Sequence, residues 1–189
     1  MRGRSARVLG YGMLDRNHLI EHLLALAQRV GVEKVTMRAL ALEAGTSASS
    51  VYYHVAGKDE LLDLLIEAVV NSIEVPSSGE WEPRLVALYT NAWRVLVSVR
   101  GVAALLQQRP HTAAAASMDR STRSILREAG LAKRDFAAAY ALLYVHLLGS
   151  VALEHNRAGR VEPGTARAEA IFRDGLQIIL AGLRHSDER

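Results

Sequence analysis

Between Thr36 and His54 the chain punctuates itself twice. Thr36 and Ser47 are residue types that cap helix starts, and Gly45 between them supplies the left-handed backbone that a sharp turn demands. The stretches they delimit, Met37 to Ala44 and Ala48 to about His54, are two short helices joined by a tight turn, with Leu40 and Ala41 facing inward. That is a helix-turn-helix, a unit in which the second helix is placed to enter a major groove. Upstream, Leu19, Ile20, Leu23, Leu24, Ala27 and Val30 recur at helical spacing after Asp15, a good N-cap, and the pattern stops at Gly31.

The rest of the 189 residues repeats the helical theme. Hydrophobic residues make up 50% of the chain but aromatics only 5%, and alanine and leucine dominate, with no Asn-Gly hairpin dipeptide. The expected fold class is all-α. There are no cysteines, which excludes disulfides, thiolate zinc sites and cysteine nucleophiles. The basic start, MRGRSARVLGYGML, lacks the apolar core and cleavage site of a secretory signal, so a cytoplasmic location is expected.

The net charge of +3 permits nucleic-acid binding without arguing for it. Placement argues more. Ala48, Ser49 and Ser50 are small, as a helix N-terminus approaching base edges requires, while Tyr52, Tyr53 and His54 carry polar tips that reach phosphates or bases. Arg2, Arg4 and Arg7 stand in a Gly- and Ser-containing segment, residues 1–14, that suits an arm along a phosphate backbone.

The stretch TMRALALEAGTSASSVYYHVAGKDELL resembles the DNA-binding signature of the TetR family, matching at Thr36, Arg38, Gly45, Tyr52, His54, Lys58, Leu61 and Leu62 without gaps. The resemblance implies that Arg38 reads a guanine, that Ser49 and Ser50 sit at base edges, and that Thr36, Tyr52, His54 and Lys58 hold phosphates. The chemistry agrees: arginine pairs bidentately with guanine, and Lys58 opens a helix whose free amides favour phosphate. Ala48 stands where the family can carry a long polar reader and Val55 where phenylalanine is common, which shifts direct readout toward Tyr53.

Beyond a head spanning 15–60, residues 61–189 read as a helical regulatory and dimerisation domain. KDELLDLLIEAVVNSIEV is apolar on nearly every side, and Pro76 to Gly79 breaks it. A fresh helix follows with Leu85, Leu88, Ala92, Val95, Leu96 and Val99 inward; others are expected at Val102 to Gln108, Thr112 to Ala129, Lys133 to His155 and Thr165 to Leu183. Tyr89, Trp93, Gln107, Met118, Tyr140 and His146 combine apolar bulk with polar tips and are the candidates for a ligand pocket. Phe172, Gly175, Leu176, Ile179, Gly182 and Leu183 form one stripe, joined by Gly149, that is the candidate dimer seam. The resemblance supports that choice, because the family pairs its last two long helices into a four-helix bundle, and a palindromic operator calls for a two-fold dimer.

Rival chemistries have less to stand on. HLIEH matches the inverted zinc-protease pattern through His18, Glu21 and His22, but no third ligand accompanies it, so no metal or cofactor is expected. GRVEPG lacks the Gly-Lys-Ser ending of a phosphate loop. Phe136 to Leu153 is as long as a short membrane span, yet it holds His146 and Ser150, and burial in a bundle explains it better. The sequence therefore points to a ligand-responsive, DNA-binding regulator, a repressor before an activator and not an enzyme. A helical DNA-binding protein without an effector is the alternative.

Overall fold

The computed structural model describes residues 15–110, 112–157 and 164–184. The arm carrying Arg2, Arg4 and Arg7 lies outside them. The described residues form α1 (Arg16–Val30), α2 (Met37–Glu43), α3 (Ala48–His54), α4 (Lys58–Asn71), α5 (Trp81–Val97), α6 (Val102–Gln108), α7 (Ala113–Glu128), α8 (Phe136–Arg157) and α9 (Ala166–Arg184), with no strand among them.

The caps set the head. Asp15 accepts from the Asn17 amide at 3.4 Å, Thr36 from Ala39 at 3.1 Å and Ser47 from Ser50 at 3.1 Å, each satisfying a helix-start N–H that would otherwise be orphaned. Gly45, at φ 63°, turns the chain from α2 into α3 where a side chain would be strained. Leu19, Leu23, Leu40, Val51, Leu61 and Leu65 are all fully buried, so α1, α2, α3 and the first half of α4 close on one core. Removing the side chain of any of these leucines costs about 2–5 kcal/mol.

α4 runs on past residue 60, so the division between head and regulatory half falls inside a continuous helix. It ends at Asn71, earlier than its apolar pattern suggests, because the Ser72 hydroxyl donates to the Val69 carbonyl and closes the last turn. In the regulatory half α5 is central, packed by α7, α8 and α9. Its buried row is Leu85, Leu88, Ala92 and Leu96, with Val95 only half-buried. Ion pairs tie the outer helices to it: Arg84 with Glu128 of α7, Arg94 with Glu169 of α9 at 2.6 Å, and Arg184 with Glu82 at 3.2 Å.

Although α8 is long and apolar enough to cross a bilayer, its Leu143, Leu147 and Val151 are buried on the protein's own core. α9 departs from expectation. Phe172 and Leu176 are buried within the chain, Ile179 and Leu183 are half-buried against the same core, and only Gly182 of that stripe is exposed. The reason is that α9 carries two apolar stripes, and the one rich in large residues faces inward.

Gly175 meets α8 closely: a Cβ there would stand 2.5 Å from His146 Cε1. Gly175→Ala is expected to lower stability by about 1–3 kcal/mol through overpacking. Thermal melting checks it, and an unchanged Tm would show that His146 yields without cost.

Candidate nucleic-acid interface and core cavity

Because Val51 is fully buried and anchors α3, the opposite face of that short helix turns outward. Ser49 is exposed and Ala48 and Ser50 are half-exposed at its start, leaving a low profile of small side chains. At its end Tyr53 is 87% exposed and Tyr52 55%. Tyr53 and the half-buried His54 stand edge to face, their ring centres 5.3 Å apart.

Arg38 on α2 and Lys58 at the start of α4 are exposed and have no carboxylate partner among the described residues. The acids beside Lys58 are otherwise engaged. Glu60 accepts from the Ala56 amide at 2.6 Å, and Asp59 lies 2.5 Å from Arg109. Thr36 and Ser47 spend acceptor lone pairs on their caps, which leaves each hydroxyl proton free to donate to a phosphate. Ser47, read from the sequence only as a cap, and Leu42, one turn after Arg38, are also exposed, the leucine by 84%, and were not among the DNA-facing residues expected. Their signal was present, as a cap that is also a donor and as a lone leucine on a polar face.

His18 and Glu21 are exposed and His22 half-buried. Among the described residues, no group of three or more histidines and carboxylates is close enough to hold a metal ion.

A small apolar cavity of about 30 Å³ lies in the regulatory half. Its walls include Val70 and Ile73 at and just past the end of α4, Tyr89 of α5, Met118 of α7, and Tyr140 and Tyr144 of α8. The Tyr89 hydroxyl is 3.2 Å from Thr122 Oγ1, a buried polar pair. Burial pushes the Tyr89 phenol well up, the Thr122 hydrogen bond opposing it only in part. Tyr140 is pushed up to about 12, by burial first and then by the nearby Asp119 carboxylate, so both rings remain neutral donors at working pH. Tyr140 and Tyr144 stack 5.8 Å apart.

Three of the six sequence-chosen pocket residues, Tyr89, Met118 and Tyr140, meet at this cavity, and Tyr144 joins them one turn after Tyr140. Gln107 is exposed on α6. Trp93 and His146 instead both stack on Phe172, at 5.6 and 4.8 Å, and His146 Nε2 lies 2.9 Å from the Phe172 carbonyl. They glue α5 and α8 to α9 because their positions fall on the helix faces turned toward α9.

A second surface remains open along α8 and α9. Leu142, Val145 and Leu153 of α8 are 55, 67 and 57% exposed, and Ile171 and Ile178 of α9 are 58 and 74% exposed. Gly149 and Gly182 are also exposed.

A capped helix-turn-helix presenting bare cations and aromatic rings, mounted on a helical bundle with a core cavity, defines a DNA-binding regulator. Residues 19–65 match the model of the bacterial regulatory proteins of the tetR family. A helix-turn-helix-type transcriptional regulator of Saccharopolyspora erythraea is 32% identical over 162 residues, 84% of this chain and 68% of that one. The class A tetracycline repressor of transposon 1721 from Escherichia coli is 28% identical over 196 residues, 90% of each. Among solved structures, apo ActR of Streptomyces coelicolor superposes with a TM-score of 0.75 at 25% identity, covering 95% of this chain and 99% of that one. The chain belongs to the TetR family of transcriptional regulators, a non-enzymatic class.

Proposed function

We propose that the protein is a homodimeric repressor, held on a palindromic operator by two heads of residues 15–60 and released when a small molecule enters residues 61–189. The observation that carries it is a single helix, α4, with Lys58 of the DNA-facing surface at one end and Val70 of the cavity near the other. The tetracycline repressor among its relatives supports the sign of regulation. A protein that acts on the chromosome works in the cytoplasm, with the arm of residues 1–14 available to the phosphate backbone.

The mechanism follows from volume. Effector pockets typically occupy about 300–1,000 Å³. The cavity holds about 30 Å³, so a ligand fits only if its walls separate. α4 is one of those walls. The two α3 helices of a dimer must sit about 34 Å apart to enter successive major grooves, and an effector weakens binding only by favouring a shape with another spacing.

A second copy covers the open face of α8 and α9. Five exposed aliphatic side chains on two helices that already pack together form the edge of a four-helix seam, and exposed Gly149 and Gly182 permit close approach.

Within the head, Arg38 reads a base and Lys58 a phosphate, with Thr36, Tyr52 and His54 positioning the backbone and Ala48, Ser49, Ser50 and Tyr53 at the base edges. Arg38→Ala is expected to cost about 1–3 kcal/mol and to relax one operator position, while Lys58→Ala weakens all sequences and reduces the salt slope by about one. Titrating operator variants across salt concentrations distinguishes them. A uniform loss on every sequence for Arg38→Ala would remove its assigned role, and a complex that no small molecule disturbs would favour a DNA-binding protein without an effector.

A further inference from the structure

We infer that the effector is a flat, uncharged, mostly aromatic molecule, seated against the Tyr140–Tyr144 pair and anchored at one deep point by Tyr89. This rests on the reading of the cavity as the effector site and adds the chemical class of its occupant. Shape comes from what can move. Val70, Met118, Tyr140 and Tyr144 are the partly buried members of the wall, and the two tyrosines are its only partly buried rings, whereas Tyr89 is 1% exposed and held by its hydrogen bond. Separating two rings stacked 5.8 Å apart at an interplanar angle of 19° leaves a slot with an aromatic face, and only a planar guest restores the stacking that is lost.

Charge comes from what surrounds the slot. No charged side chain lines the cavity. The nearest ions are Asp119 and Arg123, which already satisfy each other through Arg123 Nε at 2.7 and 2.8 Å from the two carboxylate oxygens. The guanidinium of Arg123 lies 5.7 Å from the centre of the Tyr140 ring, so the cation site on that face is occupied. A cationic guest would meet Arg123, and an anionic one would be buried without a free partner. The Tyr89 hydroxyl, held in place by Thr122 and able to donate or accept, offers one deep polar contact to a guest that otherwise needs none.

The probes are acridone, a neutral three-ring plane with one N–H and one carbonyl, and two charged long-chain molecules, myristate and tetradecyltrimethylammonium. Thermal melting of the full chain is expected to rise by several degrees with acridone and to stay flat with either charged probe below its micelle concentration. Tyr144→Ala, which truncates a half-buried ring, should weaken acridone binding about tenfold, and Tyr89→Phe several-fold, with both variants melting cooperatively. No shift with acridone, a shift equal to it from a charged probe, or unchanged affinity in both variants overturns the inference. An operator mobility shift reads the regulatory claim separately. Acridone that binds in the cavity yet leaves the operator complex intact supports the ligand class and retires the effector role, whereas release by myristate or the ammonium alone keeps the regulator and retires the class.

Discussion

Val145→Glu combined with Ile178→Glu is expected to yield a folded monomer that fails to shift a palindromic operator at concentrations where the parent does. Both residues are among the most exposed aliphatic side chains on α8 and α9, at 67 and 74%, so carboxylates there meet water in the monomer and leave the fold untouched. Pairing two copies across that face would bury four unpaired carboxylates, at several kcal/mol each. One head alone offers a short helix with small side chains at its tip, and losing the second head removes an avidity gain of about 10²–10⁴. Sedimentation gives the oligomeric state and circular dichroism the helix content. A dimer with parental operator affinity would place the seam elsewhere on the surface.

Arg109→Ala is expected to separate ligand binding from operator release. Arg109 follows the end of α6 and grips the first two turns of α4, with its guanidinium 2.5 Å from Asp59, 2.7 Å from Asp63 and 3.1 Å from the Asp59 carbonyl. Those contacts lie directly beside Lys58. Couplings between sites are typically worth about 1–3 kcal/mol, a factor of 5–150 in affinity. Loss of this grip should shrink the factor by which effector weakens the operator complex toward the low end of that range, while effector affinity and dimer state stay near parental. Effector titrations with and without operator measure both factors. An unchanged ratio would mean that coupling runs through the packed wall of α4 alone.

The head was legible because its information is local. Thr36, Gly45 and Ser47 each act within a few residues of themselves, and short-range caps fix α2 and α3 wherever the remainder goes. The regulatory half was legible only as helices. α9 shows why: Phe172, Leu176, Ile179 and Gly182 all suit a buried stripe, and nothing in a single sequence states whether the covering surface belongs to the same chain or to another. Large residues turned inward and the mix of Ile171, Ile178 and Gly182 stayed outside. The cavity was half found for a related reason. Tyr140 and Tyr144 are one turn apart and share a face, whereas His146, two residues further on, is carried round to α9. The tie between Arg109 and Asp59 joins residues fifty positions apart and leaves no local pattern.

The distance between the two heads tests the central claim most directly. Because the natural chain has no cysteine, a single Ala56→Cys change at an exposed position just past α3 gives one spin-label site per protomer. Pulsed electron resonance on the dimer, free, with operator, and with a compound that releases operator, then reads the head spacing in each state. The expected result is one narrow distribution on the operator and a displaced one with the releasing compound. The same distribution in both states would contradict control of head spacing by the cavity.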